Sequence, residues 1–290
     1  MKLIHIPSRP AQYVFTILTS TMLILGAMEF VATWQDFSNQ WYWLILATYY
    51  TVTMNETFGH RAVSHGMIDV DVNSWGYKVL TFFTAVDQCH GPLRSLSLLH
   101  FSHHTFSDQG YKDWSNFRCF WFGSAWVMPF VFFGPTLQIP GSKSLIEAEY
   151  YKHKEILDDP WTIFCEKYNL AISITTLIAL YFLLPVILFK IILMGRFIMT
   201  LGMMAVSITH VKWFPFNYRP YDTEDESSNN LVLHYMFLGI LSGLLQNAHH
   251  AKPGAMSMAT RWYEIDASTP VAYALKYLIG KKPKPEAPIV

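Results

Sequence analysis

The sequence predicts an all-α integral membrane protein with four transmembrane helices and its histidines collected at one membrane face. Three observations predict it. Of the 290 residues, 52% are apolar, 16% aromatic and only 14% charged, against about 25% charged in an ordinary soluble domain. Four apolar stretches are long enough to cross the hydrocarbon core. Seven of the twelve histidines lie in three short segments, His60 with His65, His100 with His103 and His104, and Gln246 with His249 and His250, and an eighth, His210, ends one of the apolar stretches.

The first stretch, Val14 to Trp34, is interrupted only by Thr, Ser, Gly and Glu29, which suffices for about 30 Å of hydrocarbon. Asp36 to Gln40 is a polar turn. Trp41, Tyr42 and Trp43 form an interfacial aromatic anchor, and 41–58 returns as the second span. That return delivers His60 and His65 to the side of the N-terminus. Lys2, Arg9, Arg61, Lys78 and Arg94 belong to this side and no basic residue to the opposite turn, so the positive-inside rule places the termini and the histidines in the cytoplasm.

Trp75 to Val86 is apolar but too short to span, which predicts an interfacial or core-packed helix. The His100 cluster follows. Phe120 to Phe133, broken by Pro129 and followed by Gly134-Pro135, reads as a re-entrant or surface-lying segment. Lys143 to Lys167 is the most polar part, a solvated helix and loop. The third and fourth spans are 168–184 and 186–209, with Pro185 between them. Lys190 can snorkel to the far interface, whereas Arg196 lies deeper and needs a partner. Asp222 to Asn230 is an acidic loop, Leu231 to Leu245 a short apolar stretch, and 281–290 a Lys- and Pro-rich tail expected to be disordered. Residues 1–280 form one domain, without internal repeats or a phosphate-binding loop.

Composition also excludes functions. Net charge is zero and the basic residues are scattered, so nucleic acid is not a partner. Cys89, Cys119 and Cys165 are odd in number and widely spaced, which excludes a disulfide framework and a zinc ribbon. The first apolar run outlasts a signal-peptide core and lacks a cleavage pattern, so it is read as a retained span.

On a helix, His100, His103 and His104 share a face about 100° wide, a metal-binding face. Eight imidazoles exceed the needs of one ion, and two metals with three or four nitrogens each account for the number. Imidazole suits iron, copper, nickel and zinc. His60 and His65 lie about 140° apart on an ideal helix, so they serve different ions or sit where the helix is irregular. His249 and His250, about 100° apart, can point to two neighbouring ions.

Four groups of residues carry a resemblance. They are His60-Arg-Ala-Val-Ser-His65; the His100 cluster with Phe-Ser-Asp108 and Lys-Asp113; Tyr218-Arg-Pro-Tyr-Asp-Thr223 with Asn229-Asn230; and Asn247-Ala-His-His-Ala251 followed by Arg-Trp-Tyr-Glu-Ile-Asp266. In order and spacing, from about Gly59 to Asp266, they are similar to the integral-membrane fatty acid desaturases, nearest to the delta-9 acyl-CoA and acyl-lipid branch. The resemblance implies four spans, a cytoplasmic helical cap holding a histidine-rich dinuclear metal site with two iron ions, and a narrow acyl-chain tunnel. It places metal ligands on His60, His65, His100, His103, His104, His210, His249 and His250. The implied reaction uses O2 and two electrons to take two hydrogens from a methylene pair of a fatty acyl-CoA or acyl-lipid in the membrane. Since the chain after the third histidine box is too short for a fused haem domain, a separate electron carrier of haem, ferredoxin or rubredoxin type is implied.

The chain departs from the branch at Gln246, where His is usual, at Leu99 and Phe101 in the second box, and at Val206, where an Asn often orients a metal-bound water. Gln246 could itself ligate or hold a water, and His90 could supply a replacement ligand. Asp108 and Asp113 are candidates for accepting the second N–H of ligand imidazoles, and Asn247 is a further candidate at the metal or behind it. Trp262 is expected over the site or along the tunnel, or equally as an interfacial anchor. His5, His153 and His234 have no partner cluster and are read as structural. A hydroxylase or oxidative decarboxylase on the same scaffold is the alternative, since substrate placement selects the product. A metal transporter would place ligands near the bilayer midplane, and bis-histidine haem would need paired histidines within facing spans; neither pattern is present.

Overall fold

The computed structural model describes residues 9–87, 92–109, 113, 150–236, 239 and 242–282. It is mostly helical. Helix α1 (Arg9–Gln35) begins with Pro10 in its first turn, where a missing N–H costs nothing. Asp36 then reverses the chain, its carboxylate accepting from Asn39 Nδ2 at 2.8 Å and Gln40 Nε2 at 2.7 Å. Helix α2 (Phe37–Thr51) follows and continues without a break into a 13-residue π-helical segment, Val52–Ser64.

Helix α3 (Trp75–Asp87) and helix α4 (Leu93–Phe106) come next, the latter carrying the central histidines. The short α5 (Lys154–Leu157) leads to α6 (Pro160–Lys167), whose Asp159 N-cap accepts from the Thr162 N–H at 2.9 Å. Helix α7 (Asn169–Leu183) leaves α6 at 76°. Helix α8 (Pro185–Ile208) contains a second π-helical stretch, Leu188–Leu193. Two-residue strands β1 (Asn217–Tyr218) and β2 (Asn229–Asn230) pair antiparallel, Asn217 opposite Asn230. Helix α9 (Leu231–Met236), a single 3₁₀ turn (Ser242–Leu244), α10 (Gln246–Ala251) and α11 (Thr269–Ile279) complete the fold.

Among the described residues two helices are long and apolar enough to cross a membrane, within α1 (Tyr13–Gln35) and α8, or three if bent α6 and α7 count as one. Their outer faces leave Ile17, Ile24, Met28, Ile178, Phe182 and Leu183 exposed, a surface suited to lipid and costly in water. The stretch expected as a second span, 41–58, is divided between α2 and the π-helical segment. It does not reach that length and apolarity, because polar residues interrupt it from Thr48 onward. Residues 168–184 fall on α7.

α1, α2 and α8 pack together, α3 packs on α7, and α4 lies on the π-helical segment. Intramembrane charges are partnered. Arg196, 3% exposed, donates to the Asp87 carbonyl. Lys190, expected to reach the far interface, donates there to Gln40 near the start of α2, and it also pairs with Glu29 of α1 and donates to Thr33 Oγ1 at 3.0 Å. The ion pair partners a carboxylate in an apolar helix. The expected tail begins with an anchored residue: Lys281 N donates to Asp69 O at 2.8 Å, and its Nζ lies 2.9 Å from Glu155 Oε2. Cys165 is a buried free thiol. The stretch 120–133, together with Cys89 and Cys119, lies outside the described residues.

Candidate metal centre

The π-helical turn decides where the first histidine pair goes. With i→i+5 hydrogen bonding, residues five apart rise nearly above one another, so His60 and His65 project to the same side, ring centroids 5.2 Å apart. Of the two readings of this pair, the irregular helix is the one observed. Buried anchors hold the unusual winding. Ser64 Oγ donates to Gly59 O at 2.9 Å, repeating the five-residue step with a side chain. Arg61, fully buried, donates to Ser268 Oγ (2.5 Å), Ala255 O (2.9 Å) and Met256 O (2.8 Å), and faces Asp266 at 3.5 Å. Gly59 lets α4 approach, since a Cβ there would meet Leu96 Cδ2 at 2.8 Å.

All eight sequence-predicted ligands converge. His60, His65, His100, His104 and His249 form one group and His103, His210 and His250 another; within each group one nitrogen per ring lies within 4.8 Å of the rest. The groups are contiguous, the His104 and His250 rings stacking at 4.5 Å. Helix α4 serves both, presenting His100 and His104 to one group and His103 to the other, while α10 divides His249 from His250 in the same manner.

The contacts have one orientation. Nε2 atoms face inward: His65 to His100 at 2.7 Å, His60 to His249 at 3.0 Å, His104 to His249 at 3.1 Å. Nitrogens bound about 2.1 Å from one ion at right angles lie about 3 Å apart, so this spacing suits a shared metal. Nδ1 atoms face outward to carboxylates: His60 to Glu56 (3.3 Å), His103 to Asp113 (3.0 Å), His210 to Asp108 (3.2 Å) and His250 to Asp225 (2.6 Å). A carboxylate on Nδ1–H fixes the tautomer that leaves the Nε2 lone pair for a metal and raises its basicity. Among the described residues, the three-histidine group has such a partner on every ring and the five-histidine group on His60 alone.

Burial, followed by the neighbouring imidazoles, holds His65, His100, His104 and His249 well below the ordinary imidazole range, so these rings are neutral, as ligands must be. Burial also lowers His250, to about 4, against the opposing pull of Asp225. Burial acts to lower His210 too, but hydrogen bonding and charge from Asp108 prevail and raise it. Asp113 and Asp225 lie below the usual carboxylate range, their histidine partners overcoming the burial that opposes ionisation.

Gln246 belongs to the three-histidine group. Its amide lies 3.0 Å from His210 Nε2 and 2.9 Å from His250 Nε2. It can donate to free imidazoles, or turn its oxygen inward as a fourth ligand. Val206, one turn before His210, packs with Met203 and Leu233 against Leu244, leaving no polar group where the branch often has Asn.

Asn247 has a different part. Its Nδ2 donates to Thr223 Oγ1 (3.0 Å) and Ser227 Oγ (3.3 Å), and its Oδ1 accepts from Tyr221 N (2.8 Å). It thereby holds the loop that presents Asp225, without touching an imidazole. Asn229 Oδ1 accepts from the Asn247 and Ala248 N–H groups at 3.0 and 3.2 Å, so β2 caps α10 just before its two histidines.

Trp262 is 94% exposed and lines nothing near the histidines. Glu264 draws the Thr260 and Arg261 N–H groups inward at 2.6 and 2.9 Å, and the turn leaves the indole outside. His90 lies outside the described residues. Sequence reasoning missed Glu56 and Asp225. Glu56 had a signal, four residues before His60 in a largely apolar stretch; Asp225 had none, being one acid among several in its loop. No family model matches the chain, and no characterised protein matches its sequence.

Proposed function

We propose that this chain is a membrane-bound di-iron oxidoreductase that desaturates a fatty acyl chain, of the delta-9 acyl-CoA or acyl-lipid type that its histidine boxes resemble. The observation that carries the reading is the partition of eight imidazoles into two contiguous groups with Nε2 inward. They gather beside the ends of helices leaving the apolar region, α8 closing at Ile208 two residues before His210. In this reading α1, α2, α7 and α8 are the four spans and the histidine face is cytoplasmic.

The donor set fits two ions. His60, His65, His100, His104 and His249 would hold one; His103, His210 and His250, with Gln246, would hold the other. Imidazole accommodates several first-row metals, and iron is proposed because the reaction needs a redox-active ion. Iron so held supplies the oxidising chemistry with O2 that an unactivated C–H bond requires.

The chain's own residues set the conditions. Glu56, Asp108, Asp113 and Asp225 keep ring protons on Nδ1, away from the ions. Arg61 and Asp266 lock the π-helical segment to the loop after α10. Burial of His103 (4% exposed) and His249 (0%) excludes bulk water from the inner rings. Overall, a –CH2–CH2– pair, O2, two electrons and two protons become a –CH=CH– pair and two waters. Specificity rests on holding one methylene pair at the oxidant. The two electrons would come from an electron donor.

The test is the fatty-acid profile, with double-bond positions, of desaturase-deficient cells expressing the chain or its His103→Ala variant. New monounsaturated chains that disappear in the variant support the reading and give the regiochemistry. Hydroxylated acids or terminal alkenes would replace desaturation with another oxidation, and no histidine-dependent product in the presence of a competent electron donor would overturn the assignment.

A further inference from the structure

His153 is far from the histidine boxes in sequence, yet it lies beside the metal groups. Its ring stacks on Phe101 at 5.1 Å and 25°. At its Cε1 edge is Gly66, next to His65, with φ +60; a Cβ there would meet His153 Cε1 at 3.1 Å. The ring is thus clamped between α4 and the turn that ends the first histidine pair. Phe101, a departure from the second box, is the platform that holds it.

The clamp lines an open cavity of about 410 Å³ whose walls include His65, His104, Thr105, His153 and Pro253. A second cavity of about 420 Å³ shares His65, Lys152 and His153 and continues to Asp69, Glu155 and Lys281. At its outer end Lys281 lies 3.1 Å from Asp69 and 2.9 Å from Glu155. With Lys152 beside them, these groups carry no net charge, so imidazole chemistry rather than a local field must select what passes inward. Two members of the five-histidine group line this route; His103, His210 and His250 line neither cavity.

We infer that this cleft is the path by which a divalent metal ion reaches and leaves the five-histidine group, with His153 binding the hydrated ion before it passes to His65 and His104. A cavity of this size admits an ion with its waters, and a neutral imidazole exchanges readily for one of them. The inference rests on the two-metal reading above and adds that the groups differ in their access to this cleft, which two rings of the five-histidine group line and no ring of the three-histidine group does.

The test uses the full chain in detergent, loaded anaerobically with Fe²⁺ alone and then exposed to excess chelator, with ion release followed optically. Two release phases of equal amplitude are expected. Thr105→Trp, which fills the cleft without replacing a ligand, should slow the fast phase until it merges with the slow one. His153→Phe, which keeps the stacking and removes the nitrogens, should slow uptake from limiting Fe²⁺ while leaving saturation unchanged. A fast phase unaffected by Thr105→Trp, or uptake by His153→Phe equal to that of the unaltered chain, would overturn the route. If the unaltered chain itself saturates below two ions, the two-metal reading fails instead.

Discussion

Asp225 Oδ2 lies 2.6 Å from His250 Nδ1, and the carboxylate is itself held by Thr223 Oγ1 at 2.8 Å and the Ser227 N–H at 3.0 Å. The loop thus determines how His250 presents its other nitrogen. Asp225→Asn should weaken the three-histidine group for Fe²⁺ by about 10–100-fold and leave the five-histidine group as it is. Titration of the metal-free variant checks this: one unchanged and one weakened site is expected, whereas equal weakening of both would show general disruption.

Arg61 and Asp266 form an ion pair with side chains 0% and 1% exposed. Replacing one partner of a buried pair leaves the other charge without compensation and costs about 3–5 kcal/mol. Arg61→Met should therefore lower the thermal midpoint sharply in detergent and reduce metal content with it. A midpoint unchanged from that of the unaltered chain would contradict the anchoring role.

Acid should destabilise the metal-free protein. The unfolded chain protonates imidazole near 6.5, while the fold holds His65, His100, His104 and His249 well below that and His250 at about 4. Below pH 6.5 the unfolded state then binds more protons, so stability falls as pH falls through this window. His210, raised in the fold, acts in the opposite direction but is a single ring. Thermal midpoints of metal-free protein between pH 7.5 and pH 5 should decline steadily; a flat or rising series would contradict the burial of neutral rings.

Gln246 lies between His210 and His250, within 3.0 Å of both Nε2 atoms. Gln246→Leu should weaken metal binding at this group, because the fourth position becomes apolar, and Gln246→His should retain it. Equal affinity in the leucine variant would remove Gln246 from the ligand set.

The candidate ligands were legible because imidazole is scarce elsewhere and the boxes are local, His100, His103 and His104 sharing a helical face. Apolar length likewise revealed α1 and α8. The π-helical winding between Val52 and Ser64 was less legible, because tertiary anchors hold it: Arg61 reaches Ser268, and Gly59 receives Leu96. The carboxylate partners divide in the same way. Asp113 follows its partner His103 by ten residues, whereas Asp108 meets His210 across 102 residues and Asp225 reaches His250 through a loop that Asn247 and Arg219 hold in place. Of the two readings of Trp262, the exposed indole agrees with an interfacial anchor and not with a wall of the site, and an aromatic in a motif gives no sign of which way its turn faces.

The most direct test of the central claim, that the eight imidazoles form two adjacent metal sites, is a count of ions. Iron per chain should be measured by elemental analysis after anaerobic loading and removal of free metal, for the unaltered protein, His65→Ala, His210→Ala and the double variant. The account predicts two ions, then one in each single variant and none in the double. A single ion in the unaltered chain, or two retained in both single variants, would contradict it.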